Sequence, residues 1–190
     1  MIDTPFLETK EIALRELQRG DLAGRWYTWL NDAAVTRWQN KGILPNTREK
    51  QTAYFEAVSN SSSDVVLAII HRKSGTHIGN VGLHRIDWVH RSAEIGIMVG
   101  EKKFWGKGYG RQAWQLMTEY AFKKLNLHRL FAWILEENLP SLKAAEASGF
   151  RKEGRIRDVL YKDGAYHAMI YMNVLEKDFQ SNARSARSSR

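Results

Sequence analysis

The chain has 190 residues, of which 43% are hydrophobic and 26% are charged, and it has no cysteine. This balance is typical of one soluble globular domain, and the lack of cysteine excludes a disulfide framework and thiolate zinc sites. No apolar run approaches the roughly 18 residues of a membrane span, and residues 1–10 lack the apolar stretch of a secretory signal. We therefore expect a cytoplasmic protein that does not bind a membrane.

The formal net charge is +8, and part of it lies in residues 181–190, which contain three arginines and no acid. A basic excess favours polyanionic partners, and both a nucleic acid and a phosphate-rich cofactor or substrate fit it. The histidines never occur two or four residues apart, so we predict no metal site. The serine- and arginine-rich composition predicts a disordered tail over 179–190.

The first half of the chain is predicted to hold one strand and then helices. Polar and apolar residues alternate over 11–17, which is typical of a strand. Asp21 is a candidate N-cap for a helix over 22–30. A second short helix would follow through Val35 and Trp38, and Thr47 would cap a helix that runs to about Val58.

The second half is richer in strands. Its predicted strands cover 65–71, 77–86, 93–100, 129–135, 150–160 and 165–175. Its predicted helices cover 108–125, with one apolar stripe, and 141–148, closed by Gly149. Consecutive strands predict a mixed α/β domain over residues 8–178, with a mostly antiparallel central sheet flanked by helices.

A glycine-rich turn separates the third of these strands from the long helix. It reads Trp105-Gly106-Lys107-Gly108-Tyr109-Gly110. Glycines at a helix start leave backbone N–H groups uncovered, and the helix dipole favours an anion such as a pyrophosphate beside them. Lys107 and Arg111 add positive charge. A simple tight turn is the alternative, and the spacing fits neither a P-loop nor a dinucleotide fingerprint.

Several segments downstream and upstream of this turn extend the pattern. They are Trp29-Leu30-Asn31-Asp32, Ile78-Gly79-Asn80-Val81-Gly82-Leu83, Ala93-Glu94-Ile95-Gly96-Ile97, Asn138-x-x-Ser141 and Gly149-Phe150. Together with the turn they resemble the GNAT superfamily, in particular its branch of ribosomal-protein N-terminal and amino-sugar-nucleotide acetyltransferases. The resemblance covers about residues 8–178. It implies transfer of an acetyl group from acetyl-CoA to a primary amine, without a metal.

The resemblance also implies where acetyl-CoA binds. In that family the glycine turn holds the pyrophosphate, the preceding strand lends backbone groups to the pantetheine arm, and the asparagine contacts the cofactor. Strands 95–99 and 129–135 would splay apart to admit it. The implied cofactor residues are Ile97, Met98, Val99, Trp105, Gly106, Lys107, Gly108, Tyr109, Gly110, Arg111, Asn138 and Ser141.

Acetylation of an amine needs a group that accepts the amine proton. Glu94 is the first candidate for this general base and Ser141 is the second, with a surface carboxylate and a helix-terminal serine as the alternatives. Many family members carry a tyrosine as general acid where this chain has Ala145, so that role is empty or is filled by Ser141 or another residue. Candidates for the acceptor pocket are Trp26, Trp29, Trp38, His84, Asp87 and Trp88.

The acceptor and the partners stay open at this point. An amino sugar on a nucleotide is the leading acceptor, and a protein N-terminus or a polyamine is the alternative, although a polyamine would want an acidic pocket. An inactive acetyl-CoA-binding domain and a homodimer are also open. No nucleic-acid motif accompanies the basic residues, so we predict no nucleic-acid partner.

Overall fold

The computed structural model describes residues 5–179, which form eight strands, six α-helices and a last helical stretch over 176–179. The strands are β1 Leu7–Glu8, β2 Ile12–Glu16, β3 Val65–His71, β4 Thr76–Asp87, β5 Ser92–Val99, β6 Arg129–Leu135, β7 Arg151–Lys162 and β8 Ala165–Leu175. The helices are α1 Arg19–Ala23, α2 Trp26–Trp29, α3 Ala33–Thr36, α4 Arg48–Ser59, α5 Tyr109–Lys123 and α6 Leu139–Ala147. A 3-10 turn, Lys102–Phe104, precedes α5.

All eight strands form one sheet in the order β1-β2-β3-β4-β5-β6-β8-β7. Every neighbouring pair is antiparallel except β5 and β6, which are parallel. A parallel pair needs a crossover connection, and α5 supplies it. The predicted mixed, mostly antiparallel sheet flanked by helices is confirmed.

The parallel pair is joined only at its start. Ser92, Ala93 and Glu94 lie opposite Arg129, Leu130 and Phe131, and the register ends there. From Ile95 onward the edge of β5 that faces β6 has no strand partner. The predicted splaying of these two strands is therefore confirmed, and it leaves a gap in the middle of the sheet.

The sheet is buried on both faces, and β3 shows why its sequence is apolar throughout. Successive strand residues point to opposite faces. Leu67 and Ile69 join the larger core under α5, whereas Ala68 and Ile70 join a second core under the helices α1 to α4. A strand covered on both faces needs apolar residues at every position, as the run Val65–Ile70 provides.

Asp21 is not the N-cap that the sequence suggested. Gln18 is the N-cap of α1, and Asp21 lies one turn inside, where its carboxylate accepts the Gln18 N–H at 2.8 Å. The Arg15 guanidinium donates two hydrogen bonds to the same carboxylate, at 2.7 and 2.8 Å. Burial alone would raise the pKa of Asp21, but the hydrogen bonds from Arg15, His77 and Gln18 outweigh it and hold that pKa well below its ordinary range.

Two further boundaries differ from the sequence prediction. The helix expected over 22–30 is divided into α1 and α2, because Gly24 takes an extended conformation and ends α1. The short strand β1 was not predicted; it pairs with β2. Of the predicted tail, Phe179 packs its ring against Phe122 at 5.2 Å between centroids, and residues 180–190 lie outside the described part of the chain.

Residues 5–179 contain no helix that is both long and apolar enough to cross a membrane. Within the same described range, no three or more His, Asp or Glu side chains are grouped so that they could hold a metal ion.

Candidate active site

The gap between β5 and β6 opens into a cleft of about 1700 Å³. Two groups of residues line it, one from each face of the sheet. We call the first the glycine side; its residues are 104–111, Trp114, Asn138, Pro140, Ser141, Lys143 and Ala144. We call the second the aromatic side; its residues are Trp26, Leu30, Ala34, Val35, Arg37, Trp38, Gln39, Asn40, Lys41, Asn46, Gln51, Tyr54, Asp64, Asn80, His84, Arg85 and Glu94.

The glycine side is a row of free backbone donors. Gly106 and Gly108 have φ of +72° and +80°, and Gly108 is the N-cap of α5. Within the described chain, no hydrogen bond is donated by the backbone N–H groups of residues 106–111. These groups lie at the positive end of a 15-residue helix, beside Lys107 and Arg111. Such a turn is suited to an anion.

Trp105 ties this turn to the end of β5. Its indole Nε1 donates to the Val99 carbonyl at 2.7 Å, while its ring stays half-exposed. The Val99 carbonyl therefore already has a hydrogen-bond donor, and two of the predicted cofactor residues are bonded to each other. Tyr109 is buried in the larger core, although its edge lines the cleft.

Trp114, one turn into α5, is a residue that the sequence analysis did not single out. It is 2% exposed and lines the cleft, and its indole N–H has no hydrogen-bond partner among the described residues. A buried donor without a partner is costly. A ligand in the cleft that carries a carbonyl oxygen would accept this hydrogen bond. The sequence signal that could have indicated Trp114 is its position on the helix that directly follows the glycine turn.

Asn138 and Ser141 both line the cleft, and they also build the start of α6. The Asn138 side chain caps the helix by accepting the Ser141 N–H at 3.3 Å. The Ser141 hydroxyl has no hydrogen-bond partner in the part of the chain that the structure describes, so it is available to a ligand. Ala145, matched by resemblance to the family tyrosine, is buried in the core, whereas Ala144 faces the cleft.

Glu94 lies where the two strands part, since Glu94 and Phe131 are the last registered pair. Its carboxylate accepts a hydrogen bond from the Arg85 guanidinium, and the two side chains form an ion pair. This candidate base is therefore already paired with a cation. The spacing of the sequence could not predict that Arg85 pairs with Glu94. The direction of the Arg85 side chain depends on an irregularity of β4 between His84 and Asp87.

The predicted pocket residues divide evenly. Trp26, Trp38 and His84 line the cleft. Trp29 instead packs under Gly100 and donates its indole N–H to Glu101 at 2.9 Å. Asp87 is the last residue of β4, Trp88 follows it in the β4–β5 turn, and neither lines the cleft. Asp87 binds His90 at 2.8 Å, and the Trp88 indole donates to the Ser62 carbonyl at 3.0 Å.

The aromatic side carries cations stacked on rings. The guanidinium of Arg37 lies 4.5 Å from the Trp38 ring, and the ammonium of Lys41 lies 5.1 Å from the Tyr54 ring. Desolvation by the surrounding residues lowers the pKa of Lys41, although part of its side chain stays accessible. Burial, together with the charge of Asp64, raises the pKa of Tyr54 to about 12.

Among the described residues of this side, both acids are already paired, whereas one of the buried donors is not. The amide nitrogen of Gln51 is buried without a hydrogen-bond partner there. The acids of this side, Asp64 and Glu94, are both engaged, by His84 and Arg85 respectively. The described part of the aromatic side therefore offers positive charge and N–H groups, and no unpaired carboxylate.

A lysine from the last hairpin holds the loop that closes this side. Lys162 Nζ donates to three backbone carbonyls, those of Thr36 at 2.6 Å, Gln39 at 2.9 Å and Lys41 at 3.2 Å. The segment that carries Arg37 and Lys41 is thereby fixed to β7 across the cleft.

Removing this ammonium should loosen the loop without unfolding the domain. For Lys162→Met we expect the amide of Gln39 to exchange with solvent at least about 10-fold faster, because hydrogen bonds to charged groups contribute about 1.5–3 kcal/mol. Hydrogen exchange followed by mass spectrometry or NMR measures this. Lys152→Met, on the same strand and exposed, is the matched control. Equal exchange in both variants would show that Lys162 does not hold the loop.

Known families can now be compared with this geometry. The family model described as Acetyltransferase (GNAT) domain matches residues 11–151 of the chain. The chain belongs to the GNAT acetyltransferase family. It is an acetyl-CoA-dependent N-acetyltransferase, as its named relatives are N-acetyltransferases.

Two relatives of this GNAT domain illustrate the family. The uncharacterized N-acetyltransferase p20 of Bacillus licheniformis is 31% identical over 177 residues, which cover 91% of this chain and 97% of p20. The spermidine N(1)-acetyltransferase of Vibrio cholerae is 26% identical over 175 residues, which cover 89% of this chain and 95% of that protein.

Solved structures show the same fold. The crystal structure of spermidine N-acetyltransferase from Vibrio cholerae, in complex with CoA and spermine, has a TM-score of 0.82 to this GNAT domain. The match has 24% identity and covers 90% of this chain and 99% of the other.

Acetyl-CoA fits the residues present in this GNAT domain. The free N–H groups of 106–111 and the cations Lys107 and Arg111 suit its phosphates. The unpaired indole N–H of Trp114 and the unpaired edge of β5 suit the amides of its pantetheine arm. The bound cosubstrate supplies the activated acetyl thioester.

Proposed function

We propose that this GNAT domain acetylates a primary amine whose molecule also carries a carboxylate or a phosphate. The observation that carries the proposal is the aromatic side, where Arg37, Lys41 and the Gln51 amide offer donors and where both acids are already paired. An anionic group near the acceptor amine would pair with Arg37 and Lys41, which are exposed cations. It would also accept from the Gln51 amide, which is buried and unpaired among the described residues, and an unpaired buried donor is costly.

A polyamine is the competing acceptor, since relatives of 26–28% identity are named spermidine N(1)-acetyltransferases. A polyamine carries several ammonium groups, and each one inside a cleft needs a carboxylate or another acceptor. Asp64 and Glu94 are already paired with His84 and Arg85, so an ammonium group would have to share these carboxylates with those partners. The charges of this cleft therefore disfavour a polyamine.

The amino sugar on a nucleotide is one member of the anionic class. Its phosphates suit Arg37 and Lys41, and its amine would reach the splayed strands. The relatives that carry a substrate in their names include spermidine N(1)-acetyltransferases and a putative ribosomal N-acetyltransferase of Bacillus subtilis, and these give this particular acceptor no support. We therefore propose the class of anionic amines and not this particular acceptor.

Other residues of the cleft would bind the acetyl donor and assist the transfer. The turn 106–111 holds the phosphates of the donor, and Asn138 contacts it from the start of α6. Ser141 presents a free hydroxyl that can donate to the departing sulfur. Glu94, paired with Arg85, borders the point where the amine and the acetyl group meet.

Three probe amines test the acceptor class, with thiol release from acetyl-CoA as the readout. Glucosamine 6-phosphate and glucosamine share one amine and differ by a phosphate, and spermidine is the polycation. We expect kcat/KM to be at least about 10-fold higher for the phosphorylated sugar than for glucosamine, the value of one good charge-assisted contact. A preference for spermidine would refute the anionic class.

The variant Lys41→Met tests whether Lys41 causes the preference for the phosphorylated sugar. It should remove most of the difference between the two sugars and leave the rate with unphosphorylated glucosamine within about threefold, because the neutral acceptor lacks the group that Lys41 would bind. Lys73→Met, in the exposed β3–β4 turn, is the matched control and should change neither rate. An unchanged preference in Lys41→Met would remove this residue from acceptor binding.

A further inference from the structure

The imidazole of His84 packs over Gly82 and Gly96, next to the point where β5 and β6 separate. His84 on β4 is registered opposite Glu94, and Gly82 is registered opposite Gly96 two residues along each strand. An added Cβ on Gly82 would be 2.9 Å from His84 Nε2, and one on Gly96 would be 3.7 Å from it. Gly96 lies past the last β5–β6 pair. The Nε2 edge is therefore directed along the sheet toward the splayed gap.

The other ring nitrogen is held by Asp64, 20 residues away in sequence. His84 Nδ1 lies 3.1 Å from Asp64 Oδ1. The same carboxylate accepts from the Ser61 hydroxyl at 2.7 Å and from the Arg85 N–H at 3.3 Å. Burial would raise the pKa of Asp64, but these hydrogen bonds outweigh it and lower that pKa, so the group is an ionised acceptor at neutral pH.

This pairing selects one tautomer of the ring. An ionised carboxylate can only accept, so Nδ1 carries the proton and the neutral ring has its lone pair on Nε2. Within the described chain, Nε2 has no hydrogen-bond partner. A neutral imidazole with a free Nε2 in a cleft is equipped to accept a proton.

We propose that His84 Nε2, oriented by Asp64, accepts the proton of the acceptor amine, directly or through one water molecule. The amine nitrogen forms a bond to the acetyl carbon as the bond between that carbon and sulfur breaks. One amine proton passes to Nε2, and the electron pair of the broken bond leaves with the sulfur, which takes up a proton to become the thiol. This inference rests on the proposed N-acetyltransfer in the same cleft.

Glu94 is less suited to this task although it lies beside His84. Its carboxylate is paired with the Arg85 guanidinium, and an ion-paired carboxylate is a weak base. Asp64 is in turn a positioning residue, since it would act only through the imidazole.

The charged groups around His84 explain why the ring would be neutral when it works. Burial lowers the pKa of His84, and the charges of Lys41 and Arg85 lower it further, while Asp64 opposes them. Glu94 faces the same ring from β5. Because the pKa lies below its ordinary value, the ring stays a competent base until the pH falls into the acid range.

The test is the pH profile of thiol release, measured with the fastest of the three probe amines. His84→Gln should lower kcat at pH 7.5 about 100-fold or more and remove the loss of activity on the acid side. Its melting temperature and its affinity for acetyl-CoA should match those of the wild type. His90→Gln, in the exposed β4–β5 turn, is the matched control and should keep the wild-type rate.

Asp64→Asn provides a second readout that a purely structural histidine would not give. Losing this carboxylate removes the charge that raises the pKa of His84, so the acid-side loss should move to lower pH while kcat falls. A long-range proton–nitrogen NMR spectrum of histidine-labelled protein, with His84→Gln to assign the signal, should show an unprotonated Nε2 at pH 7. A protonated Nε2 overturns the proposal.

The outcomes separate this inference from the function on which it rests. Wild-type protein that releases thiol, with His84→Gln within about threefold of it, overturns the role of His84 alone. Wild-type protein that binds acetyl-CoA but releases no thiol with any amine overturns the proposed function and this role together. Loss of the acid limb in His84→Gln supports both.

Discussion

Replacing Gly108 by valine is expected to weaken acetyl-CoA binding about 100-fold, which corresponds to about 2.8 kcal/mol. Gly108 has φ +80° at the N-cap of α5, a conformation that β-branched residues very rarely adopt. An added Cβ would meet nothing within 4 Å, so the effect would come from the backbone and not from a clash. The turn would relax, and the free N–H groups of 106–111 would no longer converge. Isothermal titration with acetyl-CoA measures the change.

Gly75 offers a matched control for this prediction. It has φ +65° in the β3–β4 turn, and an added Cβ there would also meet nothing within 4 Å. Gly75→Val should strain the backbone to a similar degree and leave the affinity for acetyl-CoA unchanged. If both variants bind acetyl-CoA like the wild type, the glycine turn is an ordinary tight turn and the phosphates bind elsewhere.

Gly100→Ala is expected to destabilise the domain by about 3 kcal/mol or more, at the upper end of overpacking effects. A Cβ at this position would lie 1.9 Å from the Trp29 ring. Trp29 cannot yield, because it is 2% exposed and its indole N–H is bonded to Glu101. Either the strand end or α2 must move. Urea unfolding followed by tryptophan fluorescence measures the loss.

Gly154 is the control for this second prediction. It lies in β7, and an added Cβ would meet nothing within 4 Å, so Gly154→Ala should change the free energy of unfolding by less than about 1 kcal/mol. A Gly100→Ala variant as stable as wild type would mean that the close contact between β5 and α2 is not maintained in solution.

Much of the candidate site was predictable because it is local. The glycine turn, Asn138, Ser141 and Glu94 lie at the ends of elements whose sequence patterns are clear, and all of them line one cleft. What could not be predicted is which of their atoms are already engaged. Trp105 is bonded to Val99 and Glu94 is paired with Arg85, and these partners reduce what each group can offer a ligand.

Trp114, which the sequence did not single out, and His84, whose catalytic role it did not predict, share one property: the importance of each depends on its environment and not on a motif. Trp114 looks like an ordinary member of an amphipathic helix until its buried N–H is found without a partner among the described residues. His84 was one of six equal candidates until the structure placed it on two glycines and against Asp64.

The sequence by itself determined the elements whose signals lie within a few residues of each other. Thr47 caps α4, β3 covers the predicted 65–71, and Gly108 starts α5, because capping, strand periodicity and the left-handed conformation are local properties. The order of these elements indicated a mixed α/β domain, and the resemblance to the GNAT superfamily came from motifs such as the glycine turn and Asn138-x-x-Ser141.

Only the tertiary structure decided the chemistry between them. It brought Asp64 to His84, Arg85 to Glu94, and Lys162 to a loop up to 126 residues away. Asp21 shows the same limit, since a carboxylate expected to cap a helix is instead buried against Arg15. Such contacts depend on distances across the fold, and sequence spacing carries no direct record of them.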